Sequence, residues 1–391
     1  MVSVDEAIQL VKSNLPVRTH EVGFLRKSLH SILAEDVVSE INMPPFNQSS
    51  MDGYAVNYSS EVGTYSVVGE ISAGEGGEGF KLKTGEAVRI FTGAIVPVGA
   101  NTVVQQEIVI RKKEKISFTQ PIKMGSNIRL MGEQTQVGQI AMKKGECLTP
   151  AAIGFLSGLG IIEASVYTKP MVSILATGDE LVQPGMELPE GKVYESNAIM
   201  LKAAIEQSGY NCIDSVTVKD TYGATKAAIE KLLLTTDVLL ISGGISVGDY
   251  DFVGRALIEI GVKEVFYKVK QKPGKPLFFG RYQNKLVFAL PGNPAAALSC
   301  FYIYVLIALG IMSGKKEGLA SRQLALDKPY SKKGDRAQFL KAKINGEYVE
   351  ILEGQSSAML HTFSIADSMV YVSETDNQLE AGDLVTTYIL P

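Results

Sequence analysis

The stretch ISGGISVGDYDFVG, residues 241–254, decides how the chain is read. Before it runs Val238-Leu239-Leu240-Ile241, short and apolar like a buried strand, and after it Phe252, Ala256, Leu257 and Ile260 recur at helical spacing. The glycines therefore sit in a strand-to-helix turn. Such a turn leaves backbone N–H groups at the start of a helix, where they can hold an anion such as phosphate. Asp249 and Asp251 beside that cradle imply that a cation, or a developing positive charge, belongs there too. For Asp251 the plainer alternative is capping of the helix that begins at Phe252.

Outward from this turn, strand and helix patterns alternate from Lys169 onward: MVSILA (171–176), NAIMLKAAIEQSG (197–209), CIDSVTV (212–218), ATKAAIEKLLL (224–234), DVLLIS (237–242), DFVGRALIEIG (251–261), EVFYKV (264–269) and KLVFALP (285–291). Alternation of this kind predicts a mostly parallel sheet covered by helices, with ligands in the loops at the carboxyl ends of strands. Three further strand ends carry unusual loops. ATGDELVQPG (176–185) places Asp179 and Glu180 beside a strand end, and VKDTYG (218–223) places Asp220 before a helix, where a simple N-cap is the plainer reading. In LPGNPAAAL (290–298) Pro291, Gly292, Asn293 and Pro294 fix a tight turn that would present a second helix N-terminus to an anion. In FYKVKQKPGKPLFFG (266–280), Lys268, Lys270, Lys272 and Lys275 read either as a lysine-protected edge strand or, because Pro273-Gly274 breaks the run, as ammonium groups in a loop suited to an oxyanion. A phosphate cradle, lysines and carboxylates together describe a site for an anionic ligand and a divalent metal.

With 391 residues the chain is too long for one core. Its 38 basic and 42 acidic residues give a net charge of -4, which argues against a broad nucleic-acid face. Three cysteines and three histidines are scattered, so neither a zinc site nor a disulfide framework is expected. The amphipathic start MVSVDEAIQLVKSNL lacks the apolar core of a signal peptide, making the cytoplasm the expected location. AAALSCFYIYVLIALGIM (295–312) reaches membrane-spanning length, but its small residues and the preceding strand and turn favour a buried interface helix.

The first 45 residues read as helical, through Ala7, Ile8, Leu10 and Val11 and then FLRKSLHSILAEDV (24–37). Residues 46–137 alternate as a β domain. Helical signs return at Thr149-Pro150, an N-cap followed by the first helical position. Four domains are therefore expected: a discontinuous helical one (1–45 and 138–168), an inserted β domain (46–137), the α/β domain (169–316) and a C-terminal β domain (317–391). Within the inserted domain, PPFNQSSMDGYAV (44–56) holds Asp52 in what is otherwise an ordinary Asp-Gly turn, a Thr-Gly turn follows at Thr92-Gly93, and GSNIRLMGEQ (125–134) adds Arg129 and Glu133.

In this order PPFNQSSMDGYAV, IFTGAIVPVGA, NIRLMGE, ATGDEL, SGGISVGDYDF, KPGKPLFFG and LPGNPAAAL closely resemble the MoeA-type molybdopterin molybdotransferase family, which includes the C-terminal domain of gephyrin. The resemblance runs over nearly the whole chain. It implies an elongated four-domain subunit, α/β plus β, with a mostly parallel α/β pterin-binding domain, an inserted β domain and a C-terminal β domain. It also implies a homodimer whose sites lie in a cleft with residues from both protomers. The activity it implies is insertion of molybdate into adenylylated molybdopterin, assisted by Mg²⁺, with loss of AMP. A transient contact with molybdopterin adenylyltransferase is implied as well, with no nucleic-acid or membrane partner.

Carried over motif by motif, the resemblance gives cleft roles to Asp52 and Thr92. Glu180, Asp220 and Asp251 would hold the metal and orient the pyrophosphate, and Lys268 and Lys272, with Lys275 nearby, would bind molybdate or the pterin phosphate. Gly243, Gly244, Ser246 and Gly248 would cradle a phosphate, Pro291 and Pro294 would shape the adjoining wall, and Arg336 and Ser357 would contribute from the terminal domain. One departure stands out: Gln134 occupies a position where family members commonly carry an acid. It lends weight to the alternative of a non-catalytic scaffold of the same fold. A nucleotide-dependent phosphotransferase is disfavoured, since no GxxxxGK[ST] loop occurs.

Overall fold

The structure is a computed structural model that describes residues 1–76, 79–245, 252–315 and 318–391. Its contacts divide the chain into two compact units. One comprises Met1–Gly23, His30–Ala34 and Ser165–Pro391, the other Phe24–Leu29 and Glu35–Ala164.

The first unit is built on a six-stranded sheet. Its elements are β1 (Met171–Thr177), α1 (Asn197–Gln207), β2 (Asn211–Val218), α2 (Tyr222–Leu232), β3 (Val238–Ser242), α3 (Phe252–Ile260), β4 (Lys263–Tyr267), β5 (Phe278–Tyr282) and β6 (Lys285–Leu290). The strand order is β2-β1-β3-β6-β5-β4. β1 runs parallel to β2 and β3, and β3 runs parallel to β6, as the alternating pattern predicts. β5 is antiparallel to both β6 and β4 and had no counterpart in the sequence reading, because it follows directly on a Pro-Gly loop.

Side chains alternate across this sheet. Ile174, Leu240 and Phe288 face one core, shared with α1 and the long apolar helix, while Leu175, Leu239 and Val287 face another, shared with α2 and α3. Burial on both faces explains why these strands read as continuous apolar runs. Each fully buried large side chain contributes roughly 1.5–3 kcal/mol.

The apolar helix, α4 (Pro294–Met312), has a mean hydropathy of 2.2 and is long enough to cross a membrane, yet 78% of its apolar window is buried inside the protein. It is apolar all round because it is a core helix. The N-terminal helix Val4–Ser13 packs Val4, Ala7 and Val11 into the same core, and the Ser3 hydroxyl accepts from the Glu6 N–H. The helical pattern does not continue through residues 24–37. Only the short 3₁₀ turn Leu25–Lys27 forms, and His30 adopts a left-handed φ of 62° that no helix accommodates.

The C-terminal strands Ser321–Leu326, Ala337–Asn345, Tyr348–Ile351, Ser368–Val372 and Leu384–Ile389 form a sheet that closes on itself, since Ala337–Asn345 also pairs with Ser368–Val372. A sixth member comes from the α/β region: Gln271–Lys272 runs parallel to Ala337–Asn345.

The second unit holds a mixed six-stranded sheet. Its fully buried strand Gly53–Val56 lies between Thr102–Gln105 and Glu86–Ile90. The helix Pro150–Gly158 begins as expected, with Thr149 Oγ1 accepting from the Ala152 N–H at 3.1 Å and Pro150 in its first turn.

Candidate active site

Four strands of the α/β sheet end side by side. Thr177 of β1 pairs with Val218 of β2, Ala176 with Ser242 of β3, and Ser242 with Leu290 of β6. The loops that follow emerge on one edge, where the order reverses between β1 and β3 and where open α/β sheets bind ligands. Asp220 sits there. Its Oδ1 accepts from Thr177 Oγ1 at 3.0 Å, and its backbone N–H donates to Asp179 Oδ1 at 3.1 Å. It does not cap α2, whose N-cap residue is Thr221 with no side-chain capping bond.

The glycine turn presses against this pair. Gly243 and Gly244 adopt φ of 90° and 64°. A Cβ on Gly243 would collide with the Thr177 carbonyl oxygen, and one on Gly244 would lie 2.6 Å from Val253 Cγ2 and 3.5 Å from Asp220 Oδ1. Only a residue without Cβ permits that approach. Ile245, next in the chain, lines an apolar cavity of about 420 Å³ that runs along α3 past Val253, Leu257, Tyr267 and Phe278. Ser246, Gly248 and Asp251, expected to complete the cradle and the metal set, lie outside the described residues. Glu180 is exposed, and its carboxylate folds back over Gly178. Among the described residues no three His, Cys, Asp or Glu side chains form a group able to hold an ion.

The loop after β6 behaves differently from expectation. Pro294 has no N–H, the Ala295 N–H donates to the Ser357 carbonyl at 3.1 Å, and the Ala296 and Ala297 N–H groups both donate to the Asn293 carbonyl. The first turn of α4 is therefore satisfied within the protein and offers no free cradle to an anion. Asn293 Nδ2 also donates to Ser357 Oγ at 3.0 Å, so Ser357 anchors this turn.

Of the four crowded lysines, Lys270 is engaged with Glu374 at 3.1 Å and Asp335 at 3.7 Å. Lys268, at φ 71°, lies over the Tyr267 ring. Lys272 and Lys275 are exposed and form no ion pair among the described residues. Arg336 Nη1 donates to the Gln271 carbonyl beside them at 3.4 Å.

In the second unit, Asp52 precedes the buried strand Gly53–Val56, and its Oδ1 accepts from both the backbone N–H and the hydroxyl of Thr92 at 2.8 Å. These bonds, backbone first, hold the Asp52 carboxyl below the usual aspartate range, with the Arg89 charge adding to the effect. Arg89 is fixed between the Tyr54 and Phe91 rings. A separate cavity of about 770 Å³ is lined by Gln48, Arg129, Glu133 and Gln134 along with Met43, Pro44 and Pro45. Glu133 Oε2 accepts from the Leu130 N–H of its own turn.

Three family descriptions match in succession: "MoeA N-terminal region (domain I and II)" over residues 2–160, "Probable molybdopterin binding domain" over 173–310, and "MoeA C-terminal region (domain IV)" over 323–390. The chain is 32% identical to a molybdopterin molybdenumtransferase of Haemophilus influenzae, over 99% of this chain and 98% of that protein. The chain belongs to the MoeA family. A molybdopterin molybdenumtransferase of Staphylococcus aureus is also 32% identical, over 88% of this chain and 83% of its own. A crystal structure of a MoeA protein from Pyrococcus horikoshii OT3 superimposes with a TM-score of 0.85 at 28% identity, covering 100% of both chains. The multidomain MoeA fold, with its N-terminal, α/β and C-terminal β parts, is the fold of this chain.

In this MoeA chain two residues at the strand edge escaped sequence reasoning. Asn197, at the start of α1, donates through Nδ2 to Ser242 Oγ at 2.9 Å and to the Gly292 carbonyl at 2.7 Å, tying the glycine turn to the Pro-Gly-Asn-Pro turn. The only signal in the sequence was a Ser-Asn pair opening an otherwise ordinary helix, which reads as a cap. Thr177, the last residue of β1, holds Asp220 through its hydroxyl.

Proposed function

We propose that this chain is a molybdopterin molybdenumtransferase that inserts molybdate into adenylylated molybdopterin and releases AMP, the final step of molybdenum cofactor biosynthesis. The observation that carries the reading is the alignment of four strand ends that brings Asp179, Asp220 and the Gly243-Gly244 turn together in a chain of the MoeA family. Asp52, Thr92, Glu180, Asp220, Asp251, Lys268 and Lys272 would act on the substrates. Gly243, Gly244, Ser246, Gly248, Lys275, Pro291, Pro294, Arg336 and Ser357 would bind or frame them.

Thr177 and Asn197 give the reading its physical content. Thr177 orients the Asp220 carboxylate, and Asn197 holds the two neighbouring turns in register, so the anionic substrate meets preorganised groups. Lys272 and Lys275, exposed and without ion pairs among the described residues, would attract the molybdate dianion. The carboxylates at the edge are hard oxygen donors of the kind Mg²⁺ takes, with one or two acids and substrate phosphates completing its shell. Glu180, Asp220 and Asp251 would hold it, and it would supply charge neutralisation at the phosphoanhydride. No protein nucleophile is required.

The scaffold alternative is not favoured, since curated relatives spanning nearly the whole chain carry the name of the enzyme. We further place the protein in the cytoplasm as a homodimer, with transient delivery of substrate by the adenylyltransferase; light scattering would give the assembly mass. Purified protein with adenylylated molybdopterin, Mg²⁺ and molybdate should yield AMP and activate an apo-molybdoenzyme. Absence of both products sinks the reading.

A further inference from the structure

The lysine-bearing loop is folded around a buried amide. Gln271 is fully buried, and both ends of its carboxamide are engaged. Nε2 donates to the Pro273 carbonyl at 3.0 Å and approaches Cys300 Sγ at 3.6 Å, while Oε1 accepts from the Tyr304 hydroxyl. Tyr304 is itself fully buried. It lies in Phe301–Val305, where α4 loosens into one π-helical turn before continuing as Leu306–Met312. An inserted turn of this kind re-aims the side chains around it and recurs at functional sites. Here Cys300 and Tyr304, four residues apart, both meet Gln271.

The chain is tight against this amide. Gly274 adopts φ 86°, and a Cβ there would lie 2.5 Å from Cys300 Sγ and 2.8 Å from Gln271 Nε2. From outside, the Gln271 carbonyl takes a bond from Arg336, and Gln271–Lys272 pairs with Ala337 and Gln338. The exposed Lys272 and Lys275 flank the Pro273-Gly274 turn that results.

We propose that Gln271, locked by Tyr304, is a positioning residue for the oxyanion substrate. By fixing the Pro273-Gly274 turn from within, it sets the spacing at which Lys272 and Lys275 present their ammonium groups to the dianion. This rests on the reading of those two lysines as molybdate ligands. The lock is strong because a buried acceptor stripped of its donor keeps its full desolvation cost, so the turn relaxes rather than stay unsatisfied. Its effect is expected on the oxyanion substrate alone, since among the described residues Gly243, Gly244 and Asp220 make no bond to the Gln271 side chain.

The test uses the full-length protein and four variants: Tyr304→Phe, Gln271→Met, Lys272→Ala and Lys275→Ala. The measurements are KM for molybdate, KM for adenylylated molybdopterin, kcat at saturating molybdate, and calorimetric binding of molybdate alone. Tyr304→Phe and Gln271→Met are expected to raise the molybdate KM and Kd about tenfold, equivalent to about 1.4 kcal/mol. The KM for the pterin substrate and kcat should stay at wild-type values. If the lysine variants raise the molybdate KM but Tyr304→Phe leaves it unchanged, the role of Gln271 is wrong and the lysine reading stands. If the lysine variants leave it unchanged, the lysine reading itself fails. A parallel loss of both KM values and kcat in Tyr304→Phe overturns the proposal in favour of a merely structural network. Should Gln271→Met not fold, Tyr304→Phe, which removes a single hydroxyl, still decides the outcome.

Discussion

Thr177→Val keeps the shape of the side chain at the end of β1 and removes only the hydroxyl that donates to Asp220 Oδ1 at 3.0 Å. Thr177 is 3% exposed, so valine fits the same buried space. A hydrogen bond to a charged group contributes about 1.5–3 kcal/mol. Asp220 is half-buried and regains part of this from water, leaving a net loss of about 1–1.5 kcal/mol in how firmly its carboxylate is held. If Asp220 works in the transition state, kcat should fall about tenfold, because each 1.36 kcal/mol is one factor of ten. AMP release under saturating substrates reads this directly. Thr177→Ser retains the hydroxyl and should restore most of the rate. In the double variant with Asp220→Ala, the loss should equal that of Asp220→Ala alone, since the hydroxyl acts only through the carboxylate. Wild-type kcat in Thr177→Val, or fully additive losses in the double variant, refutes the assignment.

Asp52→Asn should flatten the acid limb of the stability curve. The Asp52 carboxyl is lowered by Thr92, so its contribution is present above the ordinary aspartate value near 3.9 and is lost as pH falls through the folded value. The asparagine oxygen still accepts from Thr92, so thermal midpoints of the two proteins should converge in strong acid and separate at neutral pH. Lys341→Met should cost about 3 kcal/mol in denaturant unfolding, because Nζ is buried and donates to the carbonyls of Gly354, Ser356 and Met359, which would be left unsatisfied. Gly243→Ala should lose activity with about 1–3 kcal/mol of backbone strain, read by the same unfolding curves. Chelation of divalent metal should stop AMP release without moving the thermal midpoint of the substrate-free protein, since the described residues hold no three-ligand group; a large shift would point to a resident structural ion.

The parallel α/β layer was legible because its signals are local. A two-sided buried strand is a short apolar run, and a ligand loop is a break between such a run and a helical period. Asp220 and the glycine turn could be found that way. What stayed hidden depends on residues brought from far along the chain. Ser357 consumes the Ala295 N–H and binds the Asn293 side chain from 64 residues away, so the first turn of α4 looked like an open anion site. Gln271 and Tyr304 meet through a change in helical winding that leaves no trace in an all-apolar segment. The apolar spacing in residues 24–37 mimicked a helix although the chain turns at His30. Periodicity reports which side is buried, not whether the backbone winds continuously.

The two-residue strand Gln271–Lys272 makes the closed C-terminal sheet a co-owner of the lysine-bearing loop. A fragment cut before Ser321 would strip Gln271 and Lys272 of their strand partners Ala337 and Gln338 and Lys270 of its acidic ones. Grafting that module from one relative onto another is thus no neutral exchange. Changes near Ala337 and Glu374 must travel together with changes between residues 268 and 277, or the hybrid will misplace the lysines proposed to meet the oxyanion even though each half folds.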